Sequence, residues 1–218
     1  MTRDAFHLQL ESLNRELHSM GVLVQQAISD AVTALVTRNV PAAQTVVERD
    51  QDVNRMYARI ERGCLELLAL QQPMAGDLRR IAATLKVITD LERMADHAVD
   101  IAKVVVRLGG QPLVKPLVDI PAMATLTQEM VAEALAAFVR RDKAQALAMI
   151  ERDGEVDRLH KKVITDLQAL MEQEPATVAQ SIQLLFVSSA LERIGDHATN
   201  LGEWLIYLET GEKKELNQ

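Results

Sequence analysis

The stretch DLERMADHAVDIAK, Asp90 to Lys103, returns as ALERIGDHATNLGE, Ala190 to Glu203. Each copy spaces its apolar residues by steps of three and four, the period of a helix packed along one face. Each also puts acids in the middle of that face. Along the seam Leu78, Ile81, Leu85, Ile88, Glu92, Ala95, Val99, Ala102, Val106, the carboxylate of Glu92 stands where a leucine would serve a core better. Glu192 takes the same place in the second copy.

Working outward, the repetition covers most of the chain. VLVQQAISDAVTALVTRN from Val22 overlays TLTQEMVAEALAAFVRRD from Thr125, about a third of the positions being identical. The register holds through ERDQDVNRM and ERDGEVDRL, and a slip of three residues then brings Leu91–Glu92–Arg93 onto Leu191–Glu192–Arg193. Leu10, Leu13, Leu17, Met20, Val24, Ala27, Ala31 and Ala34 predict a first helix from about Ala5 to Thr37. Pro41 suits the first turn of a second helix reaching about Leu70, and a third runs from about Met74 to Leu108. GGQPLVKPLVDIP, Gly109 to Pro121, cannot continue a helix and is the one plausible long connection. Helices over about Ala122–Arg140, Lys143–Glu172 and Thr177–Glu209 complete the second copy. The expected fold is all-α: two tandem three-helix bundles of six long helices, with residues 1–110 and 122–218 as the repeats and 111–121 as linker.

Composition agrees with that plan and narrows the function. Apolar residues make up 48% of 218, enough for a real core, and aromatics only 3%, with helix formers dominant. A net charge of −7 with acids spread along the chain argues against nucleic acid as a partner. The single cysteine, Cys64, suits a reducing compartment, and no apolar run is read as a membrane span or signal peptide, so a cytoplasmic location is expected.

The second helix of each repeat also carries an acid on its seam. Val46, Asp50, Val53, Tyr57, Ile60, Cys64, Leu67 includes Asp50, and Met149, Asp153, Val156, His160, Val163, Leu167, Leu170 includes Asp153. Each seam acid has polar company one helical turn on: Asn54 after Asp50, Asp157 after Asp153, Asp96 and Asp100 after Glu92, Asp196 and Asn200 after Glu192. Counting from the hairpin turns places both columns of a repeat ~30 Å from the turn, level across the antiparallel pair. Clustered carboxylates are costly to keep ionised unless they are compensated. Compensation comes either from bases such as Arg93 and Arg193 or from bound hard cations. Oxygen ligands suit magnesium, calcium, manganese or iron; zinc prefers more His or Cys, and the Glu-x-x-His motifs of a di-iron oxidase are missing.

At these residues the chain resembles the PhoU family of phosphate-transport accessory proteins. DLERMADHAVDIA, ALERIGDHATNLG, DLRRI at Asp77–Ile81 after QQP, and the acid pairs in DQDVN and DGEVD carry the likeness. The resemblance implies a cytoplasmic, often dimeric helical protein that represses phosphate-starvation signalling. Its implied partners are the ATPase side of a phosphate ABC transporter and a membrane sensor histidine kinase. It also implies metal clusters on Asp50, Asn54, Glu92, Asp96 and Asp100 in one repeat, and on Asp153, Asp157, Glu192, Asp196 and Asn200 in the other. Asn54 and Asn200 depart from an all-acid pattern, and a neutral amide is the weaker ligand for a hard cation.

No nucleophile–base pair, phosphate-cradling glycine loop or acid–base dyad is evident, so the expected role is a non-enzymatic regulator. A carboxylate-metal phosphohydrolase and a plain bundle with arginine-neutralised acids are the alternatives. His97 and His197 lie five residues from their Glu, ~140° round the helix, and are expected to serve packing or the surface rather than to share its ion. His160, aligned with Tyr57, is expected to be a buried hydrogen-bonding histidine.

Overall fold

A computed structural model describes residues 3–212; the outermost residues of both repeats, 1–2 and 213–218, lie outside the described set. Helices account for nearly all of it: α1 (Arg3–Thr37), α2 (Val40–Gln71), α3 (Gly76–Leu108), α4 (Asp119–Arg140), α5 (Lys143–Ile150), α6 (Asp153–Gln173) and α7 (Val178–Thr210), with a short 3-10 turn at Pro175–Thr177. There is no strand among the described residues. The six-helix plan is met with one change. The expected helix Lys143–Glu172 is divided at residues 151–152, where Arg152 N–H bonds Met149 O and Glu155 N–H bonds Arg152 O in tightened i to i+3 steps. Gly154, opposite Gln51 of the first repeat, lowers helix preference at that spot, and Asp153 and Glu155 favour a new N-terminus there.

The first turn of each repeat is built alike, whereas the second differs, with Gln72 and Ala75 at positive φ in one copy and the 3-10 turn Pro175–Thr177 in the other. Arg38 and Arg141 both adopt the left-handed conformation (φ 56° and 58°), ending α1 and α4. The next residue caps the next helix in each case: Asn39 Oδ1 accepts from Ala42 N–H and Asp142 Oδ1 from Gln145 N–H, both at 3.0 Å. Such caps are worth about 1 kcal/mol each.

α3 and α7 pack against each other at the centre. Around them, α1 and α2 cover α3, while α4, α5 and α6 cover α7, and α1 also meets α4. Because α3 faces three neighbours, its burial spreads beyond the expected seam to Val87, Leu91, Met94, Ala98, Ile101 and Val104. The two bundles therefore share one continuous apolar core. Close approaches rest on glycine: a Cβ on Gly21 would lie 2.2 Å from Leu135 Cδ1 between α1 and α4, and one on Gly202 2.9 Å from Ile150 Cδ1 between α7 and α5.

Phe6–Thr37 is long and apolar enough to cross a membrane by length and composition. Its apolar face, from Phe6 through Leu17, Met20, Val24 and Ile28 to Leu35, is buried in the core. At the step where Ala27 was expected inward, Ile28 is the fully buried residue.

The connection between repeats, residues 109–118, opens on Gly109 and Gly110 at positive φ. It is tied to α7 by Gln180, whose Oε1 accepts from Val114 N–H and whose Nε2 donates to Pro112 O. Lys115 pairs with Asp166 and Lys162 with Asp119 of α4, which starts three residues before the expected Ala122.

Candidate functional site

In the first repeat, Asp50 of α2 and Glu92 and Asp96 of α3 form one acidic patch. Burial raises the Asp50 carboxyl above its ordinary value, and the charge of Asp96 adds to the rise. Glu92 is raised for the same reasons in the same order, burial and then Asp96, with Asp50 contributing and Arg93 opposing. Arg93 reaches both acids, at 3.5 Å from Glu92 and 3.4 Å from Asp96, so the acid–base compensation weighed from the sequence is present in part. Arg93 does not reach Asp50, which is opposed only weakly, by the charge of Lys103. Asn54 donates its amide to Asp50 Oδ2 at 2.7 Å, while Oδ1 is buried without a hydrogen-bond partner among the described residues. A carboxylate oxygen left so costs free energy unless a cation or proton meets it. Beside it, Val46, Val53, Ala95 and Val99 line a small cavity of about 60 Å³.

The second repeat assembles four acids. Burial raises Glu192, and the charges of Asp196, Asp157 and Asp153 all add to the rise against the opposing Arg193. Asp153 is buried at the first residue of α6, and Gly195 makes room for it: a Cβ there would lie 3.3 Å from Asp153 Oδ1. Arg152, next to it, turns away and holds Glu129 and Glu133 of α4.

Asp100 and Asn200, expected as the last members of the columns, are placed elsewhere. Eight residues advance a helix by ~80° beyond whole turns, enough to carry a side chain off the face of its Glu. Both therefore turn toward the α3–α7 seam. Asp100 lies 3.4 Å from Lys103 Nζ and 4.0 Å from His97 Nδ1. Asn200 donates to Asp90 Oδ1 at 3.1 Å.

Asp90 is the residue that sequence reasoning missed. It is only 9% exposed and draws three donors from α7: His197 Nδ1 at 2.9 Å and Asn200 Nδ2 on Oδ1, and Trp204 Nε1 at 3.2 Å on Oδ2. The Trp204 ring in turn carries Lys86 Nζ 5.9 Å from its centroid. The signal was the mismatch in the repeated phrase, DLER against ALER, which puts a carboxylate at one copy alone. His97 and His197 stack across the seam with ring centroids 5.8 Å apart. Burial and the neighbouring His197 hold His97 below its usual pKa. His160 hydrogen-bonds Ser188 Oγ at 2.7 Å.

The donor chemistry of the two patches suits a hard cation: clustered carboxylates pushed toward protonation, one with an orphaned buried oxygen. Their side chains are not preset for one. Among the described residues, no three of His, Cys, Asp and Glu converge on a single ion position. An ion would be held after side-chain rotation or through water, by Asp50, Glu92 and Asp96 in one repeat and Asp153, Asp157, Glu192 and Asp196 in the other.

Comparison with known proteins follows the same repeat. A PhoU domain matches twice, over residues 17–105 and 120–205. A phosphate-specific transport system accessory protein PhoU homolog of Clostridium acetobutylicum is 39% identical over 218 residues, covering 100% of both chains. The crystal structure of PhoU from Pseudomonas aeruginosa superposes with a TM-score of 0.91 at 36% identity, over 95% of this chain and 100% of that one. That of the phosphate transport system regulatory protein PhoU from Streptococcus pneumoniae gives 0.91 at 31%, over 97% and 100%. With both repeats matched and relatives aligned from end to end, the chain belongs to the PhoU family.

Proposed function

We propose that this protein is an accessory regulator of phosphate transport, a helical adaptor with no catalytic step of its own. The observation that carries the reading is the pair of PhoU domains on a chain that matches full-length accessory proteins throughout. In this reading it contacts a phosphate ABC transporter at its ATPase subunit and a phosphate-sensing histidine kinase, lowers the kinase's starvation output, and works in the cytoplasm as a homodimer.

The acid columns give the adaptor two cation sites. Asp50, Glu92 and Asp96 hold one, and Asp153, Asp157, Glu192 and Asp196 the other. Bound cations would offset repulsion among carboxylates that burial already disfavours. What supports this is the upward shift of Asp50, Glu92 and Glu192 together with the unpartnered Asp50 Oδ1. Arg93 and Arg193 moderate the charge without reaching Asp50.

Deleting the gene tests the regulatory reading. Phosphate-starvation genes should become active in phosphate-replete cells; unchanged expression would contradict it.

A further inference from the structure

The α3–α7 seam brings together the matching helices of the two repeats, and its two sides differ. On one side Asp90 closes the seam, bonded to His197, Asn200 and Trp204. The alignment that pairs Leu91 with Leu191 makes Ala190, His97, Asp100 and Val104 their counterparts. All four line a single cleft of about 450 Å³ on the other side, within the size range of small-ligand sites. Loss of the Asp90 carboxylate at Ala190, and of the indole at Val104, leaves space where the first side is filled.

The character of that space is set by its remaining walls. Arg107 of α3 and Arg193 of α7 both border it. Arg107 is steadied across the cleft by a 2.9 Å bond from Nε to Gln183 Oε1, its one hydrogen bond among the described residues, made without its terminal nitrogens. Arg93, the counterpart of Arg193, is occupied with Glu92 and Asp96. The one acid in the wall, Asp100, has Lys103 beside it at 3.4 Å. Ser189 and Gln183 add polar groups, and Phe186, 58% exposed, forms an apolar rim. In a chain of net charge −7, this is a pocket with two guanidinium groups and one locally balanced acid.

We propose that this open side of the seam binds a phosphate-type oxyanion. Its oxygens take toward His97 the place that the Asp90 carboxylate takes toward His197, and Arg107 and Arg193 supply the counter-charge in the forked geometry that guanidinium offers oxyanions. The phosphate group belongs either to inorganic phosphate or to a small organic phosphate whose body rests on Phe186. The inference stands on the seam's asymmetry and does not depend on the regulatory reading or on metal at the acid columns.

Calorimetric titration of the full chain at low salt with inorganic phosphate, and separately with adenosine monophosphate, tests it. Saturable binding of at least one, with Kd of about 1 mM or tighter, is expected. Arg107→Gln should weaken it about tenfold or more, and Ala190→Asp, which supplies the missing carboxylate, should abolish it. Arg55→Gln, removing the same charge from an exposed part of α2, should change it by less than about twofold. Tighter binding of the nucleotide, weakened by Phe186→Ala, identifies an organic phosphate; equal or tighter binding of inorganic phosphate identifies the free ion. Circular dichroism checks folding, and if Ala190→Asp fails to fold, Arg107→Gln alone decides. No saturable binding of either probe, or binding that Arg107→Gln leaves unchanged, would overturn the proposal.

Discussion

The acid column of the first repeat runs along unbroken helices, whereas that of the second starts where a helix starts. Asp50 lies within α2, half-buried beside a small cavity, with Asn54 on one oxygen and nothing on the other. Asp153 opens α6 and is buried against Gly195, with Asp157 one turn on where the first repeat has the amide of Asn54. The seam continues the contrast, closed by Asp90 on one side and open at Ala190 on the other. Duplication supplied two equal frames, and a few substitutions made them unequal: more charge and tighter packing in the second column, a spare buried oxygen in the first.

The largest expected effect of breaking this contrast is at the closed side of the seam. Asp90→Ala would take the shared acceptor from three donors on α7, all on half-buried side chains, and should lower stability by about 2–4 kcal/mol in urea unfolding. A loss of less than about 0.5 kcal/mol would mean that the lock contributes little.

Packing at the columns should come next. Gly195→Val forces branched carbons into the space of Asp153 Oδ1 and Val156, and about 1–3 kcal/mol of destabilisation is expected. The matching Ala95→Val faces the cavity beside Asp50 and should cost less than about 1 kcal/mol. Equal losses would remove the packing difference between the repeats.

The smallest expected effect concerns pH. Glu92 and Glu192 have folded pKa values above the ordinary 4.5, so in ion-free protein the native state holds more protons than the unfolded chain through the window above that value. Their penalty is absent below 4.5, and stability falls as pH rises through the window. Glu92→Gln and Glu192→Gln should each remove part of that fall, so the gap in melting temperature over wild type widens toward neutral pH. A gap that narrows would reverse the sign of the account.

The fold was legible because helical period, the Gly–Pro connection and the doubled phrase all point the same way. Asn39 and Asp142 at the caps show how far the agreement reaches. The division of the fifth helix was less legible: a single Gly154 inside a helical pattern is usually tolerated, and only the tightened turn at residues 151–152 reveals the break. At the site, Glu92 and Glu192 with their partners at i+4 were readable from spacing. Asp100 and Asn200 were read as continuing the columns, whereas their side chains turn to the α3–α7 seam, because the ~40° drift at each i+4 step accumulates over two steps. Asp90 escaped notice because its importance comes from α7, a hundred residues away, and seams between repeats leave no periodic mark.

Cation titration of chelator-treated protein by calorimetry tests the central claim of two unequal acid sites most directly. With manganese as the probe, wild type should show two classes of site, Glu92→Gln losing the weaker and Glu192→Gln the stronger, with affinities about tenfold apart. No binding, or two variants that titrate like wild type, would contradict it.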